Sequence, residues 1–329
     1  MGNNMEPKEW RLTALTDIWT GDAQGKPGRL IPTGLRGSIR WWFEVLVRGL
    51  GGKVCDPTVD GVRCPDKNVK NPYDPGHHCV VCELFGCTGW ARKFRLMVLD
   101  QEGPVIQKQI KAGRTFTLHF IPLRSISDEE WCLLDATLRL IANYGALGGR
   151  TVFKPTDELN RQGEDYHRDF GLIRIKPVIS GVRAYTGDEL SRYVDYSHWR
   201  RVDHDDFAWA SLDNFWCVKG RYLARQDPDN STFNQIIGRE QAKGRSQRLA
   251  QETPVNRWLA GRQQESKKVF SFKHPEEGRR TFGFVKPGLV EFDEMKRRLG
   301  QVWSPFNPDA EFITKDQILS ELFSQGGNV

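Results

Sequence analysis

Long apolar runs are missing from this chain. No stretch approaches the ~18 consecutive apolar residues that a membrane-spanning helix needs. No basic-then-apolar leader precedes Trp10. A membrane span and an export signal are therefore not expected, and a reducing, cytoplasmic setting is. Histidine is scarce, at 7 residues in 329, and the seven are scattered. There is no H-E-x-x-H pair and no Ser/His/Asp order, which leaves zinc-peptidase and triad-hydrolase chemistry without a sequence basis. His167 beside Tyr166 and His198 beside Tyr196 are the only candidates for a general base in RNA cleavage. Asp195, Asp203, His204, Asp205 and Asp206 read as capping and ion-pairing groups rather than a metal site. No internal repeat and no low-complexity tract is found, which excludes repeat architectures.

Basic residues, aromatics and clustered cysteines are what the chain does have. Its net charge is +6, and residues 219–298 hold 18 Lys/Arg against 10 Asp/Glu. Eleven Trp and eighteen Phe are enough to build a core and still leave rings over. Trp41, Trp90 and Trp199 stand beside arginines, where a ring can stack on a base. Five of the seven cysteines fall between Cys55 and Cys87. In a reducing compartment such clustering favours a metal over disulfides. Cys55, Cys64, Cys79 and Cys82 are the expected ligands of a structural zinc ion, the last two forming a CxxC knuckle. His77 or His78 could replace one of them, and reduced, partly buried thiols are the alternative.

The segment Ile31–Trp42, IPTGLRGSIRWW, predicts a helix over 33–50 with Thr33 as its N-cap. Leu35, Ile39, Trp42, Phe43, Leu46 and Leu50 recur at helical spacing as an apolar stripe. Arg36, Arg40, Glu44 and Arg48 mark a second face, basic at the end where free N–H groups favour anions. Either this face holds phosphates or it is a solvated surface stitched by Arg–Glu pairs. Arg92, Lys93 and Arg95 open a strand after a turn bracketed by glycines. A second glycine loop, Gly145 to Arg150, leaves N–H groups for a phosphate or simply ends a helix.

Strands are expected at 9–16, 92–99, 115–121 and 170–178, and a helix with a Ser127/Glu130 capping box is expected to stop at Gly145. The order β-α-β-β-α-β is that of a ferredoxin-like, split βαβ domain, interrupted by a Gly/Pro/Cys-rich insertion over 51–89. Further on, 206–220 and 231–251 read as helices, 267–273 and 280–285 as strands, and Thr314 as the cap of a last helix. The domains expected are 1–178 and 179–329.

Leu12-Thr13-Ala14-Leu15, Trp19-Thr20-Gly21, the TGLRGSIRWW helix, Cys55-Asp56-Pro57, Leu84-Phe85-Gly86 and Lys93-Phe94-Arg95 together resemble the RAMP superfamily of CRISPR proteins. Within it they resemble the first-subunit family of the Cmr (type III-B) effector complexes. The resemblance is good over about residues 10 to 150 and loose beyond. It implies an α+β chain of two tandem ferredoxin-like (RRM-like) domains. It also implies a non-catalytic subunit that helps hold the 3′ part of the guide RNA and the target RNA among other RAMP subunits, for antiviral defence. Its RNA-binding residues would be Arg36, Arg40, Trp41, Arg92, Lys93, Arg95, Arg150 and Lys154. The family's glycine loop usually carries further arginines, whereas here Thr151 to Pro155 follows and Lys154 stands in for the charge. A guide-processing endoribonuclease and a purely protein-binding scaffold are the competing functions.

Overall fold

The computed structural model describes residues 5–22, 24–57, 59–149, 155–176, 181–202, 208–241, 248–262 and 265–323. It is a mixed α+β structure with two antiparallel sheets. The first is built from β1 (Lys8–Ala14), β2 (Phe94–Asp100), β3 (Thr115–Pro122) and β4 (Ile173–Ile175), in the order β2-β3-β1-β4. Every neighbouring pair is antiparallel, the pattern of a split βαβ unit. Alternation sets the faces: Trp10, Leu12 and Ala14 of β1 are buried while Glu9 and Arg11 are exposed. The register places Trp10 opposite Leu118 and Leu12 opposite Phe116.

Helices α1 (Pro32–Gly49) and α3 (Asp128–Tyr144) join these strands, with the short α2 (Val80–Phe85) between α1 and β2. The capping box forms as read: Ser127 Oγ accepts from Glu130 N, and Glu130 Oε2 accepts from Ser127 N. The helix does end at Gly145, but not because of a left-handed backbone, since φ there is −112°. A Cβ on Gly145 would lie 2.4 Å from Trp42 Cζ2, so close packing excludes a side chain. The start of α1 also differs from expectation. Pro32 takes the first helical position, where its missing N–H costs nothing, and Thr33 is not the cap. Thr20 Oγ1 instead accepts from Ile31 N at 2.9 Å, tying the Trp19-Thr20-Gly21 segment to the head of the helix.

The second sheet has the order β5-β7-β6, from β5 (Phe215–Lys219), β6 (Val269–Phe272) and β7 (Arg280–Phe284). The remaining helices are α4 (Gly187–Val194), α5 (Thr232–Ile237), α6 (Pro254–Ala260), α7 (Phe292–Val302), α8 (Pro308–Glu311) and α9 (Lys315–Phe323). With three strands among the described residues, this sheet does not display the four-stranded arrangement of the first. Two helix readings are corrected here. Within 206–220, FWCVK is a strand, because a short apolar run buried on both faces carries no helical period. Within 231–251, the helix stops at Ile237, where Gly238 adopts φ +71°.

Helix α1 lies between the sheets and buries Leu35, Ile39, Trp42, Phe43, Val45, Leu46 and Val47. Phe43 faces the first sheet through a chain of edge-to-face rings, Phe43–Phe85–Phe94–Phe120–Trp10, with centroids 5.1–5.4 Å apart. Trp42 turns the other way, onto Phe215 and Phe282 at 5.9 and 5.8 Å. One continuous cluster of buried side chains therefore joins both sheets. No helix among the described residues is long and apolar enough to cross a membrane.

Candidate metal centre and basic surface

Cys79 is the N-cap of α2 and Cys82 lies in its first turn; Cys55 and Cys64 come from the loop before it. Their four buried sulfurs all lie within 4.8 Å of one another. Cys55 Sγ is 3.6 Å from Cys82 Sγ and 3.8 Å from Cys79 Sγ. A tetrahedron with metal–sulfur bonds of about 2.3 Å has edges of about 3.8 Å, so the donor set fits a metal ion. Cys79 N donates to Cys64 Sγ at 3.3 Å, an interaction that favours the thiolate. Arg40 Nη2 donates to Cys82 Sγ at 3.3 Å, and Arg200 Nη1 to Cys64 Sγ at 3.7 Å. Hydrogen bonds from the other three sulfurs hold the Cys79 thiol well below its ordinary value, while the hydrogen bond with Cys55 pushes Cys82 up. Four packed thiols thus favour one shared negative charge, whereas a dication would let all four ionise.

Neither histidine joins the tetrahedron. His77 Nδ1 and His78 Nδ1 are 2.8 Å apart, and His78 Nε2 is 2.6 Å from Glu83 Oε2. The His78 ring stacks on Trp90 at 4.6 Å.

The eight residues expected to bind RNA have separate fates. Arg40 is committed to the fold: Nε donates to Glu44 at 2.9 Å, Nη1 to Gly86 O at 3.0 Å, and Nη2 to Cys82. Gly86 is required at that spot, since it has φ +84° and a Cβ would lie 2.8 Å from Arg92 N. Lys93 Nζ is held by Glu130 at 2.9 Å and also pairs with Glu83. Burial works against the charge of Glu83, yet His78 and Lys93 hold its carboxyl down to about 2. Arg92 Nε donates to Phe94 O at 2.9 Å. Trp41 packs edge-to-face on Trp42 and Phe284 at 4.9 and 5.6 Å and is half-buried.

Of the eight, Arg36 and Arg95 are the cations with neither an ion pair nor a side-chain hydrogen bond among the described residues. Arg95 is exposed on β2. Arg36 is half-buried near the head of α1, and its guanidinium is held below its ordinary value first by burial, then by Arg92 and Arg40. Arg150 and Lys154 lie outside the described residues, as do Asp203, His204, Asp205 and Asp206. The glycine loop does not offer its N–H groups to a phosphate. Gly148 N donates to Ser38 Oγ at 3.0 Å and Gly149 N to Trp19 O at 2.9 Å.

Two cavities were not legible in the sequence. One, of 420 Å³, lies between α1 and the second sheet, with Trp41, Trp209, Phe270 and Phe284 in its walls. The other, of 440 Å³, joins His167, Arg168 and Asp169 to Lys273 and His274 from the far half of the chain. Burial pushes the Asp169 carboxyl up to about 6, against the Lys273 and His274 N–H groups that donate to it. His198 lies elsewhere, stacked on Tyr196 at 6.1 Å.

Residues 11–153, which contain the end of β1, β2, β3, α1 to α3 and the four clustered cysteines, match the model of the RAMP superfamily. Over that segment the chain is similar to the RAMP superfamily. No curated protein matches the chain. Among solved structures, the chain is similar to Cmr1 from Pyrococcus furiosus (apo form), with 11% identity, 97% of each chain covered and a TM-score of 0.44. It is also similar to a chain of the type III-B Cmr-beta complex bound to cognate target RNA and AMPPnP, with 10% identity, 90% of this chain and 98% of that one covered, and a TM-score of 0.46. A type IV-B CRISPR complex chain overlaps 58% of this chain and is itself covered over 100% of its length, at 12% identity, with a TM-score of 0.35. Identity and overlap at these levels assign no role to any residue of this chain.

Proposed function

We propose that this chain is an RNA-holding subunit of a type III-B CRISPR effector complex and does not itself cut RNA. It would work in the cytoplasm among other RAMP subunits, gripping the 3′ region of the guide and the target. One observation carries this reading. Arg36 is a partly buried cation with no anionic partner among the described residues, repelled by the charges of Arg92 and Arg40 near the positive end of an eighteen-residue helix. Such an arrangement raises the cost of each charge until an anion arrives, and a phosphate is the anion a basic RAMP segment meets. Arg95 extends the patch along β2. The type III-B placement rests on the TGLRGSIRWW and Trp19-Thr20-Gly21 motifs. In this reading the second unit is a reduced ferredoxin-like domain, and the four cysteines hold structural zinc within an insertion in the first.

Salt-dependent binding of labelled single-stranded RNA tests the reading. The double variant Arg36→Glu/Arg95→Glu should bind more weakly. Its dependence of log affinity on log salt should flatten by about 0.7 for each phosphate that the variant no longer neutralises. Unchanged affinity and slope would refute it.

A second reading, RNA cleavage by this chain, is favoured by the cleft that brings His167, His274 and Lys273 together. Two imidazoles and an amine are a sufficient set for metal-independent phosphodiester cleavage. A discrete cut of RNA in EDTA, abolished in His167→Ala/His274→Ala, would replace the non-catalytic assignment.

A further inference from the structure

We infer that Arg200 is a positioning residue of the four-cysteine centre and couples its metal to the docking of residues 195–202. This rests on the reading that the cysteines hold zinc. Cys79 caps α2 and Cys82 sits in its first turn. Cys64 has no such support, since no helix or strand occurs between α1 and α2 among the described residues. One side chain gathers the backbone around it. Arg200 Nη1 donates to Val62 O at 3.0 Å and to Arg63 O at 2.9 Å, and Nη2 donates to Gly61 O at 3.2 Å. The same Nη1 is 3.7 Å from Cys64 Sγ, reaching it from 136 residues away. Backbone pairs fasten the two segments on either side. Arg200 N donates to His78 O and Gly76 N to His198 O, both at 2.9 Å.

Charge makes Arg200 more than a clamp. Its side chain keeps 13% of its exposure, the carbonyls it meets are neutral, and the Asp66 carboxylate is 3.8 Å from its Nε. A cation buried to that extent is costly unless an anion faces it. Thiolate ligation supplies one, because a metal-bound Cys64 sulfur is anionic. Four thiolates around a dication carry two net negative charges, so an N–H aimed at one of the sulfurs also lowers the cost of burying the centre. Each side therefore stabilises the other, and metal loading strengthens the hold on residues 195–202. Linkage makes the effect reciprocal: a docked Arg200 tightens the metal by the same factor. Losing an outer partner of this kind typically costs about 10–100-fold in metal affinity.

The test measures zinc affinity of the full-length chain by competition with a chromogenic chelator, in wild type, Arg200→Met, Arg200→Lys and Arg201→Met. Arg201 belongs to the same segment but pairs with Asp195 at 3.0 Å, so it controls for lost charge alone. Arg200→Met should weaken zinc binding by about 10–100-fold. Arg200→Lys should recover part of the loss, since it returns the charge without the planar fork that spans three carbonyls. Arg201→Met should bind zinc as wild type does. With cobalt(II) in place of zinc, the thiolate-to-metal charge-transfer band should move to lower energy in Arg200→Met, because a donor no longer stabilises the Cys64 lone pairs. Chelating zinc from wild type should speed amide exchange at Gly76 and Arg200, and unchanged exchange would overturn the coupling. So would Arg200→Met with wild-type zinc affinity and only a lower melting temperature, or equal losses of affinity in Arg200→Met and Arg201→Met. Wild-type protein that takes up no zinc would overturn the metal reading and this inference with it.

Discussion

Arg40→Met separates a structural arginine from an RNA-reading one, because the two roles give opposite outcomes. The three guanidinium nitrogens of Arg40 bridge Glu44, the Gly86 carbonyl and the Cys82 sulfur. The arginine side chain keeps 20% of its exposure and Glu44 only 6%. Removing one partner of a buried ion pair costs about 3–5 kcal/mol, since the remaining charge is left uncompensated. Arg40 is not fully buried, and Arg48 Nη2 remains 3.9 Å from Glu44 Oε2. Both facts pull the expectation to the lower end, about 3 kcal/mol. At about 2–4 °C per kcal/mol, the melting temperature should fall by about 6–12 °C. Urea unfolding should show a lower midpoint with an unchanged slope. The double variant Arg40→Met/Glu44→Leu should recover part of the stability, because no buried carboxylate is then stranded. RNA affinity of the folded single variant should fall far less than that of Arg36→Glu. An Arg40→Met protein with wild-type stability and abolished RNA affinity would refute the reasoning and return Arg40 to the phosphate-binding surface.

Other consequences can be checked with single variants. Protein purified without added metal should carry close to one equivalent of zinc. Cys79→Ser or Cys82→Ser should remove it and lower the melting temperature; metal-free, fully stable wild-type protein would count against the centre. Asp169 has a carboxyl near 6 in the fold against about 3.9 when unfolded, so the folded state binds its proton more tightly. Its contribution is most favourable below about pH 4 and is lost as pH rises through about 6, a change of roughly 2–3 kcal/mol. Asp169→Asn keeps an acceptor for the Lys273 and His274 N–H groups, so its stability relative to wild type should rise between pH 4 and pH 7; a flat difference would refute this. Gly145→Ala would ordinarily stabilise by about 0.4–1 kcal/mol through the unfolded chain. Here the added Cβ meets Trp42, and a net destabilisation of about 1–3 kcal/mol is expected in denaturant unfolding.

The first sheet and its helices could be read from the chain alone, because their signals are local. Alternation in Phe94–Asp100 and Thr115–Pro122, helical spacing from Leu35 to Leu50, and the Ser127/Glu130 box are all fixed within one element. The four-cysteine set was legible because five of the seven cysteines fall between Cys55 and Cys87, two of them in a CxxC knuckle. Which basic residues stay free was settled by packing between distant segments. Arg40 and Arg36 stand four apart on the same helix, yet one meets Cys82 and Gly86 of α2 and its C-cap, more than 40 residues away, and the other forms no ion pair among the described residues and feels the like charges of Arg92 and Arg40. Sequence spacing cannot report a partner supplied by another segment. It also could not show that Gly148 and Gly149 donate to Ser38 and Trp19 rather than to a ligand. The strand at Phe215–Lys219 escaped for a related reason. A run buried on both faces, between α1 and the second core cluster, loses the alternation that one wet face would have imposed.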